Sequence, residues 1–131
     1  LKGEKLKPVV DVQLNLDFVT PRLPDDYVEE DVHRLSLLKR FAEAQDVRIV
    51  KALAEEMRDR FGPLPPDAET FVRAATLRVL LATAGYDHLD VTGQRAVFYR
   101  VGDPRPSKVH DLRGTTPAAK LRDLLRLAKS L

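Results

Sequence analysis

Residues 46–85 read DVRIVKALAEEMRDRFGPLPPDAETFVRAATLRVLLATAG, and this stretch decides the fold class. Asp46 is a good helix N-cap, and Val50, Leu53, Met57 and Phe61 then recur at three- and four-residue steps, the stripe of an amphipathic helix. Gly62 accepts the positive φ that ends a helix, and Pro63 prevents continuation. Pro65 and Pro66 open the next helix, whose first turn holds Asp67 and Glu69, the charges that a helix N-terminus favours. From Phe71 to Ala84 that second helix is apolar on nearly every side, so it belongs at the centre of a domain rather than on its surface; Gly85 closes it.

On the N-terminal side, Val10, Val12, Leu14, Leu16 and Phe18 alternate with Asp11, Gln13, Asn15 and Asp17. A period of two stopped by Pro21 predicts a half-buried strand over residues 9–18. Pro24-Asp25-Asp26 is turn chemistry, and a helix is expected over residues 30–44 with Val32, Leu35, Leu38 and Ala42 as its core face. On the C-terminal side, residues 89–91 and 96–101 read as a hairpin around Thr92-Gly93-Gln94, and Lys108 to Leu112 as a further short strand. Thr116-Pro117 is a cap followed by a first-turn proline, with Leu121, Leu124, Leu125, Ala128 and Leu131 on one face of a last helix. The sum is an α+β domain over residues 9–131: an N-terminal strand, three central helices, a small antiparallel sheet or hairpin and a C-terminal helix. The polar, aperiodic residues 1–8 read as a linker from a preceding domain.

Composition narrows the function classes. The chain of 131 residues has no cysteine, which removes disulfides, thiolate nucleophiles and thiolate metal sites together. No stretch approaches the ~20 apolar residues of a membrane span, and a cytoplasmic location is expected. The formal net charge of +2 is low for a dedicated nucleic-acid binder. His33, His88 and His110 lie on different elements, and none has a ligand partner at local metal-site spacing. No glycine-rich phosphate loop or nucleophile elbow is present. The carboxylate pairs Asp25-Asp26 and Asp87/Asp90 fall in turns and strand edges, where aspartate serves local hydrogen bonding; an acid–base site there requires them to face a pocket. Lys120, Arg122, Arg126 and Lys129 make the last helix basic, a possible phosphate contact with no interleaved aromatic residues for base stacking. On the residue 46–61 helix, Glu56 and Asp59 share a flank away from the apolar stripe: either an acidic patch for a partner, or pairs for Arg58, Arg60 or a nearby lysine.

Three stretches read together add a resemblance. Leu23-Pro24-Asp25-Asp26-Tyr27 is followed by Arg34-Leu35 and Lys39-Arg40, and Asp59-Arg60-Phe61-Gly62 by Pro65. In order and spacing they resemble the C-terminal domain of the bacterial transcription-repair coupling factors, the TRCF family, from Val9 to Val101 and more faintly after Pro104. The resemblance implies that the domain is not itself an enzyme and carries no cofactor. ATP and Mg would belong to the motor domains of a parent DNA translocase in DNA repair. It implies a regulatory domain that folds back on an N-terminal UvrB-like module of the same protein, masking a UvrA-binding surface until RNA polymerase is engaged. The acidic helix is implicated in that contact, which makes Glu56, Asp59 and Arg60 the candidate interdomain interface.

Overall fold

A computed structural model describes residues 11–131; Val10 and the expected linker lie outside the described residues. The elements run β1 (Gln13–Leu16), α1 (Asp31–Glu43), α2 (Val47–Phe61), α3 (Pro66–Ala84), β2 (Tyr86–Thr92), β3 (Arg95–Arg100), β4 (Lys108–Asp111) and α4 (Pro117–Lys129). The punctuation acts as its chemistry dictates. The Asp46 carboxylate accepts from the Arg48 N–H at 2.8 Å, Pro66 sits in the first turn of α3, and Thr116 accepts from the Ala119 N–H at 3.1 Å. Gly85 closes α3 in the left-handed conformation, at φ 90°.

The sheet is four-stranded in the order β1-β2-β3-β4, larger than a hairpin and mixed rather than purely antiparallel. β2, β3 and β4 are antiparallel neighbours, whereas β1 pairs parallel to β2, with Gln13 opposite His88 and Leu16 opposite Val91. Parallel neighbours need a long crossover, and α1, α2 and α3 supply it. The β2–β3 turn is tight, with Thr92 opposite Arg95 and Gly93 at φ 60°.

Two apolar cores meet on α3. Leu77 and Leu81 pack with Tyr86, Leu89, Val91 and Phe98 of the sheet and with Leu121 and Leu124 of α4. Ala68, Phe71, Ala75 and Val79 pack with Leu37 and Phe41 of α1, with Val50, Leu53 and Met57 of α2, and with Leu23 and Val28 of the turn before α1. The all-round apolar character of α3 is the signature of this double duty.

The expected core face of α1 is corrected. Leu37 and Phe41 are the buried residues, while Val32 is 75% and Leu35 64% exposed. The helix is apolar on two sides, and periodicity alone does not rank them. The surroundings decide: Leu23 and Val28 of the turn join Leu37 and Phe41 in one buried cluster with α2 and α3, so that side of α1 has apolar partners and the Val32–Leu35 side has fewer.

Candidate functional site

The three motif stretches, far apart in sequence, meet at the C-terminal end of α2. The turn after Leu23 is closed by the N–H groups of Tyr27 and Val28, both donating to the Pro24 carbonyl at 3.3 Å. Asp25 and Asp26 sit on this turn with both side chains in solvent, so they line no pocket and the acid–base reading of that pair falls. Tyr27 turns the other way. Its hydroxyl donates to the Gly62 carbonyl at 2.6 Å, with the Met57 carbonyl also in reach at 3.1 Å. Gly62 caps α2, so its carbonyl lies beyond the last bond of the helix and takes its partner from Tyr27. The Tyr27 ring meets Phe61 edge-on at 5.9 Å, and burial pushes its phenol above the ordinary value, opposed by the nearby Arg58 charge. Arg34 locks the turn onto α1: it donates to the Val28 carbonyl at 2.8 Å and pairs with Asp31 and with Asp25, the latter at 3.7 Å.

On the adjoining flank, Arg40 of α1 grips Glu56 of α2 with both terminal nitrogens, each at 2.7 Å from a carboxylate oxygen. Such a fork-to-fork pair fixes orientation as well as distance. Arg60 adds a longer contact to Glu56 at 3.4 Å and lies over the Phe61 ring at 5.0 Å. The hydrogen bonds from Arg40 hold the Glu56 carboxyl below its usual range, with Arg60 a lesser cause. Asp59 is exposed and has no ion pair or hydrogen bond among the described residues. The flank is therefore an Arg40–Glu56–Arg60 network with one free carboxylate beside it, rather than a uniformly acidic patch. Arg40 as the partner of Glu56 had no signal in local spacing, because the two lie 16 residues apart on different helices.

Of the basic residues of α4, Arg122, Arg126 and Lys129 are exposed and, at i, i+4 and i+7, share one side of the helix, whereas Lys120 turns inward. Lys120 is only 9% exposed; its ammonium donates to the Gly93 carbonyl at 2.9 Å and lies 5.4 Å from the centre of the Phe18 ring. Arg126 pairs with Asp123 at 3.3 Å, while Arg122 and Lys129 are exposed. Asp123 itself accepts the N–H groups of Gly114 and Arg113 at 2.8 and 3.0 Å, which holds its carboxyl below the usual range. The three histidines stay apart. His33 is near Phe61, His110 is near Phe98, and the His88 Nε2 lies 2.8 Å from an Asp90 carboxylate oxygen beside Asn15. Among the described residues, no three histidine or acidic side chains come together in a way that would hold a metal ion. None of their helices is long and apolar enough to cross a membrane.

Residues 19–110 match the family described as the TRCF domain. The chain is 37% identical over 91 residues to the transcription-repair-coupling factor of Mycobacterium bovis, a match covering 70% of this chain and 7% of that protein. It is 41% identical over 56 residues to the Escherichia coli transcription-repair-coupling factor, covering 43% and 5% respectively. The chain thus matches only a small part of the length of these relatives. In fold it is similar to the crystal structure of the C-terminal domain of transcription-repair coupling factor, with a TM-score of 0.78, 16% identity, and coverage of 92% of this chain and 91% of that one.

Proposed function

The chain belongs to the TRCF family, and from that membership we propose that it serves as a non-catalytic regulatory domain of a transcription-coupled repair translocase. In this reading it closes as a clamp on an N-terminal UvrB-like module of the same protein and masks UvrA binding until RNA polymerase is engaged. The observation that carries the reading is the outer flank of α2, where Asp59 stands free beside a Glu56 that Arg40 holds in a fixed orientation. A free carboxylate beside an oriented charge network suits a polar interface between domains of one chain, which has to be specific without being large. The flank offers Asp59 to a basic group on the partner, while Arg40 and Arg60 are engaged with Glu56 beside it. A clamp that must open needs only about 1–3 kcal/mol of coupling. Tethering in cis raises the effective concentration to the millimolar range, so a weak contact holds.

The test is charge reversal of Asp59 to lysine in the full-length protein. Asp59 makes no hydrogen bond or ion pair among the described residues, so D59K is expected to leave the fold intact while inverting the partner contact. The expected result is a several-fold rise in DNA-stimulated ATPase together with tighter UvrA binding. Unchanged ATPase and UvrA affinity, with an unchanged melting temperature, would remove this flank from the clamp.

A further inference from the structure

The low net charge of the chain hides a segregation. Residues 95–131 carry nine lysine and arginine side chains against three aspartates, whereas residues 11–94 carry ten against sixteen acidic ones. The three aspartates are largely spent on their neighbours. Asp111 lies opposite Arg95 in the sheet register, and Asp103 accepts from the N–H and the side chain of Arg105. Asp123 takes the Gly114 and Arg113 N–H groups on one oxygen and the Arg126 guanidinium on the other. It is the one acidic residue of α4, and its side chain is only 15% exposed against 60% for Arg126. The outward side of the helix therefore presents Arg122, Arg126 and Lys129 around a carboxylate that is mostly covered, and Arg113, also exposed, abuts the same turn through its N–H.

The helix dipole favours cations in the last turn, which accounts for Arg126 and Lys129. It does not account for Arg122, a turn earlier, or for Arg113, outside the helix. The kind of partner follows from what this side lacks. Every leucine of α4 packs into the sheet core, Leu121 and Leu124 fully, Leu125 and Leu127 in part. No aliphatic or aromatic anchor is left outside, and protein interfaces are centred on such anchors. No aromatic ring stands among the cations to stack an unpaired base either. What remains is a row of hydrogen-bond donors on a rigid rod. From Arg122 to Arg126 to Lys129 the helix rises by about 6 and 4.5 Å, about 10 Å in all. Each strand of a duplex carries a phosphate about every 3.4 Å of axis, so the row spans roughly three phosphates of one strand. Guanidinium forks match phosphate oxygens two at a time, and an ammonium serves as a point charge.

We propose that the outward side of α4, with Arg113 beside it, contacts the phosphate backbone of a nucleic-acid duplex without reading its bases. The surface lies on a different helix from the Glu56–Asp59 flank and stands or falls independently of the clamp. Fluorescence anisotropy tests it on the full 131-residue chain, with labelled DNA and RNA duplexes of unrelated sequences and a salt titration. Binding is expected at low salt with equal affinity across sequences. For DNA, log K should fall against log salt with a slope of about −3, the value for three to four phosphate contacts. Replacing Arg122, Arg126 and Lys129 together by glutamine is expected to weaken binding at least tenfold and to reduce the slope to about −1. Lys51→Gln, which removes an exposed cation of α2, is expected to keep the native affinity. Melting temperatures of both variants keep a folding defect separate from a lost contact. Binding to either duplex supports the proposal, and a preference between them names the source of the phosphates. Three outcomes overturn it. One is no anisotropy change at the lowest salt, and another is native affinity in the triple variant. The third is displacement of the duplex by poly-L-glutamate at equal charge, which would make this a surface for an acidic protein segment.

Discussion

Tyr86 has a buried side chain, 1% exposed, whose hydroxyl finds no hydrogen-bond partner among the described residues. Its ring is well used, edge-on to Phe98 at 6.3 Å and beneath the Arg100 guanidinium at 4.9 Å. A buried donor without a partner costs about 1–3 kcal/mol, whereas the ring contacts survive its removal. Tyr86→Phe is therefore expected to leave stability unchanged or raise it by about 1 kcal/mol, read by urea denaturation. A loss of that size would mean the hydroxyl has a partner. Lys120 presents the converse case, because its ammonium ties α4 to the β2–β3 turn through the Gly93 carbonyl. Lys120→Met keeps an apolar stem but removes both that bond and the charge over the Phe18 ring, so a loss of about 1 kcal/mol or more is expected. Arg122→Met should stay within about 0.5 kcal/mol, since Arg122 is exposed. Equal effects at both positions would return Lys120 to the solvent face. In sequence the two cations are alike, each a basic residue beside the apolar stripe of α4. What separates them is that the hairpin turn, some 27 residues away, folds over one and not the other.

Helix boundaries were legible in the sequence because they rest on local chemistry. Asp46, Gly62, Pro66, Gly85 and Thr116-Pro117 act within a few residues of themselves, and each ends or begins a helix where its backbone preference places it. The face that α1 buries was not legible, because the choice between its two apolar sides depends on partners outside the helix, Leu23 and Val28 among them. The parallel pairing of β1 with β2 was hidden for the same reason: alternation announces a strand but not its neighbour. At the candidate site, Glu56 and Asp59 could be placed on one flank by helical spacing, but their unequal state follows from Arg40, which only tertiary structure brings near. Local chemistry also sets an acid limit on α2. The side chain and N–H of Arg48 hold the Asp46 carboxyl down to about 2, so its folded pKa is depressed. A depressed carboxylate contributes stability above its unfolded pKa, near 4, and loses it as pH falls through the folded value. Glu56 shifts in the same direction, so stability should decline from about pH 4.5 towards pH 2. Asp46→Asn keeps a good cap with no charge to titrate, and its stability should fall less steeply than the native chain's across that window in urea titrations. Identical slopes would assign the acid sensitivity to Glu56 and Asp123 instead.

At the scale of the molecule, α3 is the one element that both cores require. Leu77 and Leu81 face the sheet and α4 while Phe71, Ala75 and Val79 face α1 and α2, so neither core can be assembled without ordering the same helix. A domain built this way should lose both cores together, since freeing either face of α3 exposes apolar surface that the other half cannot cover. Cavities cut on opposite sides test this. Leu53→Ala lies in the helical core and Leu89→Ala in the sheet core, and each should cost about 2–5 kcal/mol. Native-state hydrogen exchange should then show the slowest amides of α2 and of β2 destabilised by similar amounts in either variant. If Leu53→Ala loosened α2 while leaving β2 protected, the two cores would be separate cooperative units joined only by the helix between them. A regulatory clamp works best in the first case. If the proposed clamp closes on the α2 flank, a contact there then registers the stability of the whole domain through the helix that both cores share.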